Sequence, residues 1–488
     1  MIDWLSQQAR SNPDKIALIF EHQVWSYTVL NQDAEKMARN LLASGIKPGQ
    51  HIAVLASSSP DYLVLIHALI KLGAVLIPLN TRLTFEELSP LIELADVDYL
   101  IYSPAYYAVA AKLTQQKFSF TQITSSDRNP DQELPTAFAF ENLQAIIYTS
   151  GTTGLPKGAM LTVANHFWSA TASAYRLGLS TDDRWLLCLP LYHVGGLAIV
   201  LRSCLYGTAV ILHDDFSPQE IAISIEYHAA TMISLVPTML NRFMGTGSAM
   251  LAKLRLILLG GGAASPQLIQ ESLAAGLPII STYGLTEAAS QVATSTLENV
   301  AQKFGSAGKP LNFTQVQIET SDGEVLPAGE IGEIVVSGPT VMGGYYQNSE
   351  ATEAVLDDDR LRTGDIGYLD SDGDLWVLQR RSDLIISGGE NIYPSEVESV
   401  LMRHPAIKEA CVIGLEHPEW GQQVAAAIVF YQGKTISTES IQQHCRKSLA
   451  GYKIPRIIQF LDHFPRTASG KIVRNRLIQD FEQIFEDI

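Results

Sequence analysis

The stretch "HIAVLASSSPDYLVLIHALIKLGAVLIPLN", residues 51–80, decides the fold class. Its opening, "HIAVLAS", is apolar and reads as a strand. "PDYLVLIHALIKLG" follows as a helix, with Pro60 suited to the first turn and Gly73 to the stop. "AVLIPLN" is a second strand. Working outward, "TFEELSPLIELA" opens on a capping box, Thr84 with Glu87 three residues on, and Pro90 leaves its length open. "DYLIYS" is a third strand. This alternation implies a parallel sheet covered by helices, an α/β fold. The rhythm returns in "LRLILLGGG", in a helix opened by Ser265-Pro266, and in the strand "PIISTYGLTE". Parallel sheets place sites beyond the carboxyl ends of their strands. The ends after Tyr148, Leu259 and Thr282 all carry Gly/Ser/Thr-rich loops.

From about residue 314 short strands and turns take over, a small β-rich subdomain, with Asp-Gly pairs suited to hairpins. Asp370, Asp372 and Asp374 suggest a calcium loop, but position twelve from Asp370 is Arg381 rather than Glu, so a solvated turn is the better reading. After "QRRSD" a small α+β unit begins. It has a helix at "YPSEVESVLMRHP", strands at "EACVIGL" and "QVAAAIVFY", and a helix at "TESIQQHCRKSLAGY" ending at Gly451. The expected domains are 1–380 and 381–488.

A chain of 488 residues, 47% hydrophobic and 17% charged, buries a large core. A net charge of −17 argues against nucleic-acid binding, so an anionic substrate must meet local positive sites. Cys188, Cys204, Cys411 and Cys445 lack metal or redox spacing and read as reduced thiols in or near the core. "MIDWLSQQAR" lacks a signal-peptide pattern, and His67, Lys71 and Gly73 interrupt the most apolar segment, Leu63 to Leu79. The expectation is a cytoplasmic protein with no membrane partner, open to forming a homodimer or homo-oligomer.

A second stretch carries the chemistry: "IIYTSGTTGLPKGAML", residues 146–161. Gly151, Gly154 and Gly158 let backbone N–H groups approach an anion, Thr149, Ser150, Thr152 and Thr153 add hydroxyls, and Lys157 adds charge. Lys157 is followed by glycine and the glycine spacing is wrong for a Walker loop. The loop is suited to phosphates without being that of a P-loop ATPase.

"YTSGTTGLPKG", "STYGLTEA" (281–288), "RTGDIGYL" (362–369), "LQRRSDLIISGGENIYPSEVE" (378–398) and "RTASGKIVR" (466–474) occur in that order. Together they resemble the adenylate-forming superfamily of acyl- and aryl-CoA synthetases, nonribosomal adenylation domains and beetle luciferases. The resemblance implies a large N-terminal AMP- and acyl-binding domain and a small mobile C-terminal lid. It implies ATP, Mg2+ and coenzyme A as reactants and small molecules as partners. Lys471 would be the cation bridging carboxylate and α-phosphate, Glu287 the Mg2+ ligand, and Thr286 an α-phosphate donor. Tyr283 would stack on adenine beside Gly284, with Gly260, Gly261 and Gly262 opposite. Asp365 would hold the ribose hydroxyls, with Arg380 nearby. Thr149 to Gly154 and Lys157 would hold the departing pyrophosphate.

For the second half-reaction the resemblance implies that Gly388 and Gly389 pass pantetheine and that Trp420, Arg82, Lys453 and Arg456 meet coenzyme A. Trp420 reads equally as a packing residue of the lid. The hinge position falls on Ser382, where many relatives carry Asp or Lys. The acyl pocket would be lined by "LPLYHVGG", with His193 as a gate, and by Ser290 and Gln291. "STDDRWLLCLPLYHVGGL", "LLGGGAA", "KFGSAGKPL" and "RRSDLIISGGENIYPSEVESVL" are similar to the branch activating o-succinylbenzoate in menaquinone or phylloquinone biosynthesis. That acid has a second, non-reacting carboxylate, for which Arg202 and Lys303 are the candidates. Another aryl or medium-chain acid, or a carrier protein to be loaded, is the alternative.

Overall fold

The structure, a computed structural model, describes residues 2–114, 116–124, 132–135, 138–150, 156–244, 248–262, 264, 266–379, 384–465, 472 and 474–486. The chain divides into two compact units. One comprises residues 1–81, 92–148 and 158–379; the other comprises 82–91, 149–157 and 380–488.

The larger unit holds three sheets. In the six-stranded sheet, His51–Leu55 pairs in parallel with Val75–Pro78 on one side and Tyr99–Tyr102 on the other. The helix joining the first two, Pro60–Leu72, starts where its signals lie. Ser59 caps it by accepting from Tyr62 N, Pro60 fills the first turn, and Gly73 ends it in the left-handed region at φ 72°. The same sheet continues through Leu143–Ser150 to its neighbour Pro156–Thr162, the strands flanking the glycine-rich loop. The Thr84–Glu87 capping box forms, and its helix runs through Pro90 to Leu94.

The nine-stranded sheet has six parallel strands at its centre: Ile279–Leu285, Leu256–Leu259, Met232–Leu235, Arg184–Leu187, Ala209–Leu212 and Ile16–Phe20. These read as continuous apolar runs because helices cover both faces. Ser290–Thr294 folds back antiparallel on Ile279–Leu285, turning the chain at the strand end. The third sheet is antiparallel, with Gln315–Glu319, Gly332–Ser337, Arg360–Leu369 and Leu375–Gln379 in sequence.

The smaller unit is built on Ile407–His417 and Gly421–Phe430, with Ile457–Phe460 added in parallel. The helix expected over 438–452 stops at Cys445, and Gly451–Lys453 forms a separate 3-10 turn. Ile441, Cys445 and Leu449 still reach one core cluster. All four cysteines are buried thiols. Among the described residues no helix is long and apolar enough to cross a membrane.

Candidate active site

In the larger unit, the carboxyl ends of the central strands bring together residues far apart in sequence. Tyr283 and Thr286 bracket the end of Ile279–Leu285, and Gly260 follows Leu256–Leu259 beside it. A Cβ on Gly260 would lie 2.6 Å from Thr282 Cγ2, and one on Gly284 would lie 1.8 Å from Ser290 O. The motif glycines are therefore demanded by close backbone approach. Gly261 and Gly262 continue the same turn.

Tyr283 donates from its phenol to Asp365 Oδ2 at 2.6 Å, which joins the antiparallel sheet to the strand ends. Its ring is 2% exposed and belongs to the main core cluster. What the structure shows is the packed strand-end aromatic, with its polar tip fixing Asp365. Glu287 is buried, and Tyr345 donates to its Oε1 at 2.8 Å. Thr286 is half-buried and accepts the Ala289 amide at its carbonyl.

His193 precedes the Val194–Tyr206 helix without capping it through its side chain, and its ring lies edge-on to Tyr192. That helix carries Arg202, which is 2% exposed. Its Nη1 donates to Gln291 Oε1 at 2.7 Å and Ser173 Oγ at 3.2 Å, its Nη2 to Ser290 Oγ at 3.4 Å, and its Nε to Ala198 O at 3.1 Å. The guanidinium also lies 5.3 Å over the Trp185 ring. Every one of these partners is neutral. Burial pulls the guanidinium pKa below its ordinary value. Ala289 and Ser290 beside it take φ of 51° and 110°, unusual for non-glycine residues.

In the smaller unit, Gly388 donates to Trp420 O at 2.8 Å, and a Cβ there would lie 3.0 Å from the indole. Gly388 and Gly389 both take positive φ, 58° and 83°. The exposed Arg456 lies 5.8 Å over the Trp420 ring, and Arg82 pairs with Glu390 at 3.3 Å. Gly388, Trp420 and Arg456 thus form one cluster. Ser150, of which only the backbone is described, and Lys157 lie at the strand ends flanking the phosphate loop. Gly151, Thr152, Thr153, Gly154, Arg380, Ser382 and Lys471 lie outside the described residues.

The AMP-binding enzyme family matches residues 5–346, and the AMP-binding enzyme C-terminal domain matches 396–471. The chain belongs to the AMP-binding enzyme family. It is 41% identical to the 2-succinylbenzoate–CoA ligase of Bacillus cereus (strain Q1) over 486 residues, 99% of each chain. It superposes on an o-succinylbenzoate CoA synthetase double mutant from Bacillus subtilis, bound with its product analogue OSB-NCoA, with a TM-score of 0.93, 39% identity and 98% of each chain covered. The Bacillus subtilis synthetase in complex with ATP and magnesium ion gives a TM-score of 0.76 at 40% identity, covering 97% of this chain and 98% of that one. The large N-terminal and small C-terminal division is that of these family members.

Two expectations are corrected within this family frame. Lys303 does not await a substrate carboxylate: its Nζ donates to Asp370, Asp372 and Asp374 at 2.7–2.8 Å. The acidic hairpin thus holds a lysine of its own chain. Lys453, expected to meet coenzyme A phosphates, is already paired with carboxylates of its own unit. It is 5% exposed and lies 2.7 Å from both Glu87 and Glu396. Burial opposes its charge, but the two carboxylates hold its pKa above the ordinary lysine value. The motifs also missed Tyr345, which fixes Glu287, and Ser173 and Trp185 around Arg202. The spacing of Ser169 and Ser173 on one helix face was the readable signal.

Proposed function

We propose that this chain is an AMP-forming acid–thiol ligase that joins o-succinylbenzoate to coenzyme A, the menaquinone or phylloquinone step. A carboxylate oxygen of the acid attacks the α-phosphorus of ATP and pyrophosphate leaves, giving the acyl-adenylate. The coenzyme A thiolate then attacks the acyl carbon and AMP leaves. Both half-reactions bring anions together, so positioning and fixed charge supply most of the acceleration.

Asp365, held by Tyr283, is assigned the ribose hydroxyls. Glu287 fits Mg2+: it is a hard carboxylate made rigid by Tyr345, and this ion takes few protein carboxylates beside substrate phosphates. When bound, Mg2+ neutralises phosphate charge. Lys471, outside the described residues, is assigned the bridging role, Arg380 a ribose role, and Thr149 to Gly154 with Lys157 the pyrophosphate. His193 is assigned the acyl gate. Gly388, Gly389, Trp420, Arg82 and Arg456 are assigned to coenzyme A.

The observation that supports the choice of acid is Arg202. A buried guanidinium whose hydrogen-bond partners among the described residues are all neutral is expensive unless an anion completes it. A substrate with one reacting and one spare carboxylate supplies that anion; a fatty acid does not. The reading carries with it a cytoplasmic place of action, with a homodimer or larger homo-oligomer open to sedimentation. The test is incubation with ATP, Mg2+, coenzyme A and a panel of acids, following pyrophosphate and thioester. Release dependent on o-succinylbenzoate is expected. No pyrophosphate with any acid would contradict the ligase, and a preference for benzoate or octanoate would contradict the choice of acid.

A further inference from the structure

We propose that His166 is a second recognition residue for the spare carboxylate, donating a hydrogen bond from Nε2 to the anion that balances Arg202. The inference rests on the o-succinylbenzoate reading and extends it to a residue that no motif contains.

The Val163–Leu177 helix packs on the Val194–Tyr206 helix and on Ser290–Thr294. His166, Ser169 and Ser173 fall on one face of it, at i, i+3 and i+7. Two of the three are engaged with the wall around Arg202. Ser169 Oγ donates to Ala289 O at 2.6 Å, and Ser173 Oγ accepts from Arg202 Nη1 at 3.2 Å. The third, His166, is 3% exposed, and its Nε2 has no hydrogen-bond partner among the described residues.

Buried polar atoms are nearly always paired, so an orphan that feels the charge of a cation whose partners among the described residues are neutral is informative. Burial first, and then the charge of Arg202, bring the imidazole pKa down to about 3. The ring is therefore neutral at physiological pH, and an N–H on Nε2 adds a donor without adding a second positive charge. One carboxylate placed here satisfies two deficits at once: the guanidinium gains a counter-ion and Nε2 gains an acceptor. Ala289 and Ser290, at positive φ, form the same wall, and such strain concentrates at ligand sites. A mono-acid leaves both deficits in place, which makes the pair a specificity device rather than a general acyl contact.

The test uses the full-length enzyme with ATP, Mg2+ and coenzyme A. His166→Phe, His166→Ala and His166→Gln are compared with the wild type for the KM of o-succinylbenzoate. The inhibition constant of 4-oxo-4-phenylbutanoate, which lacks the aryl carboxylate, is measured alongside. His166→Phe and His166→Ala are expected to raise KM about tenfold or more, with kcat held within about threefold and the mono-acid constant unchanged. His166→Gln, which keeps an N–H, recovers most of the loss. If the Phe and Ala variants do not fold, 15N-histidine spectra of the wild type carry the test. The His166 Nε2 resonance, assigned by its loss in His166→Gln, should shift with o-succinylbenzoate and not with the mono-acid. An unchanged KM, an equal loss for both acids, or an unmoved resonance overturns the proposal. A wild type that does not turn over o-succinylbenzoate overturns the substrate reading itself and this extension with it.

Discussion

Arg202 and Lys453 are both buried cations, one in each unit, and they are satisfied in opposite ways. Lys453 sits 2.7 Å from each of two carboxylates of its own chain. Among the described residues Arg202 meets hydroxyls, an amide, a carbonyl and an aromatic face. Taking a charge out of water is costly, and the cost must be met by a partner. Where the partner is internal, the residue fastens structure. Where it is absent, the site is incomplete, and a ligand of the right charge completes it. The same test separates Lys303, matched by three aspartates, from Arg456, which lies over the Trp420 ring.

The largest effect is expected from breaking the matched pair. Lys453→Met leaves Glu87 and Glu396 without their cation and should lower unfolding stability by about 3–5 kcal/mol, read by denaturant titration. Adding Glu87→Gln and Glu396→Gln should recover most of it. In the folded enzyme the KM for coenzyme A should not move; a rise there would return Lys453 to the phosphate contacts.

A smaller effect is expected at the exposed unmatched cation. Arg456→Ala should raise the KM for coenzyme A by about three- to tenfold, consistent with one exposed charge and its aromatic contact at about 1 kcal/mol. Pyrophosphate release from the first half-reaction should stay as it was. Equal loss in both half-reactions would mean that Arg456 supports structure rather than coenzyme A.

The smallest is at Lys303. Lys303→Ala should cost a few degrees of melting temperature at low salt and less at about 1 M salt, because Asp372 is exposed and Lys303 and Asp370 partly so, although Asp374 is buried. Lys303 and hydrogen bonds from Trp376 and backbone amides hold the Asp370 pKa below the usual carboxylate range, although burial works the other way. A depressed folded pKa means stability that is present above the unfolded value of about 3.9 and lost as pH falls through the folded one. Lys303 is shifted upward, mainly by Asp370, Asp372 and Asp374. Its share is present below about pH 10.4 and is lost as pH rises through the folded value. Between about pH 5 and 9 the difference between wild type and variant should therefore be flat, and it should shrink as pH falls below about 3.9; a difference that does not shrink there would mean that the ion pairs are not its source.

The sequence carried the local structure further than it carried these pairings. The strand–helix–strand unit at 51–80 was legible because strand and helix periods differ and because Ser59, Pro60 and Gly73 mark both helix ends chemically. Motif order located Tyr283, Glu287 and Asp365, and close contacts force the nearby glycines Gly284 and Gly367. A lone lysine or arginine carries no such mark. Lys453 finds Glu87 across 366 residues, and Arg202 finds Gln291 across 89. For that reason Lys303 and Arg202 looked equivalent as carboxylate partners, although one was already matched. The assignment of 82–91 to the smaller unit was hidden in the same way, since Arg82 and Glu87 meet Glu390 and Lys453 only in the fold.

The most direct test of the unmatched charge is the preference of the enzyme between two acids. The ratio of kcat/KM for o-succinylbenzoate over 4-oxo-4-phenylbutanoate should be measured in the wild type and in Arg202→Met. A spare carboxylate completing Arg202 predicts a wild-type preference of about a hundredfold or more, because the mono-acid leaves a buried charge without a counter-ion. It predicts that Arg202→Met loses nearly all of that preference while folding at least as stably, since a desolvated charge has been removed. A preference in Arg202→Met within about twofold of the wild type would contradict the account.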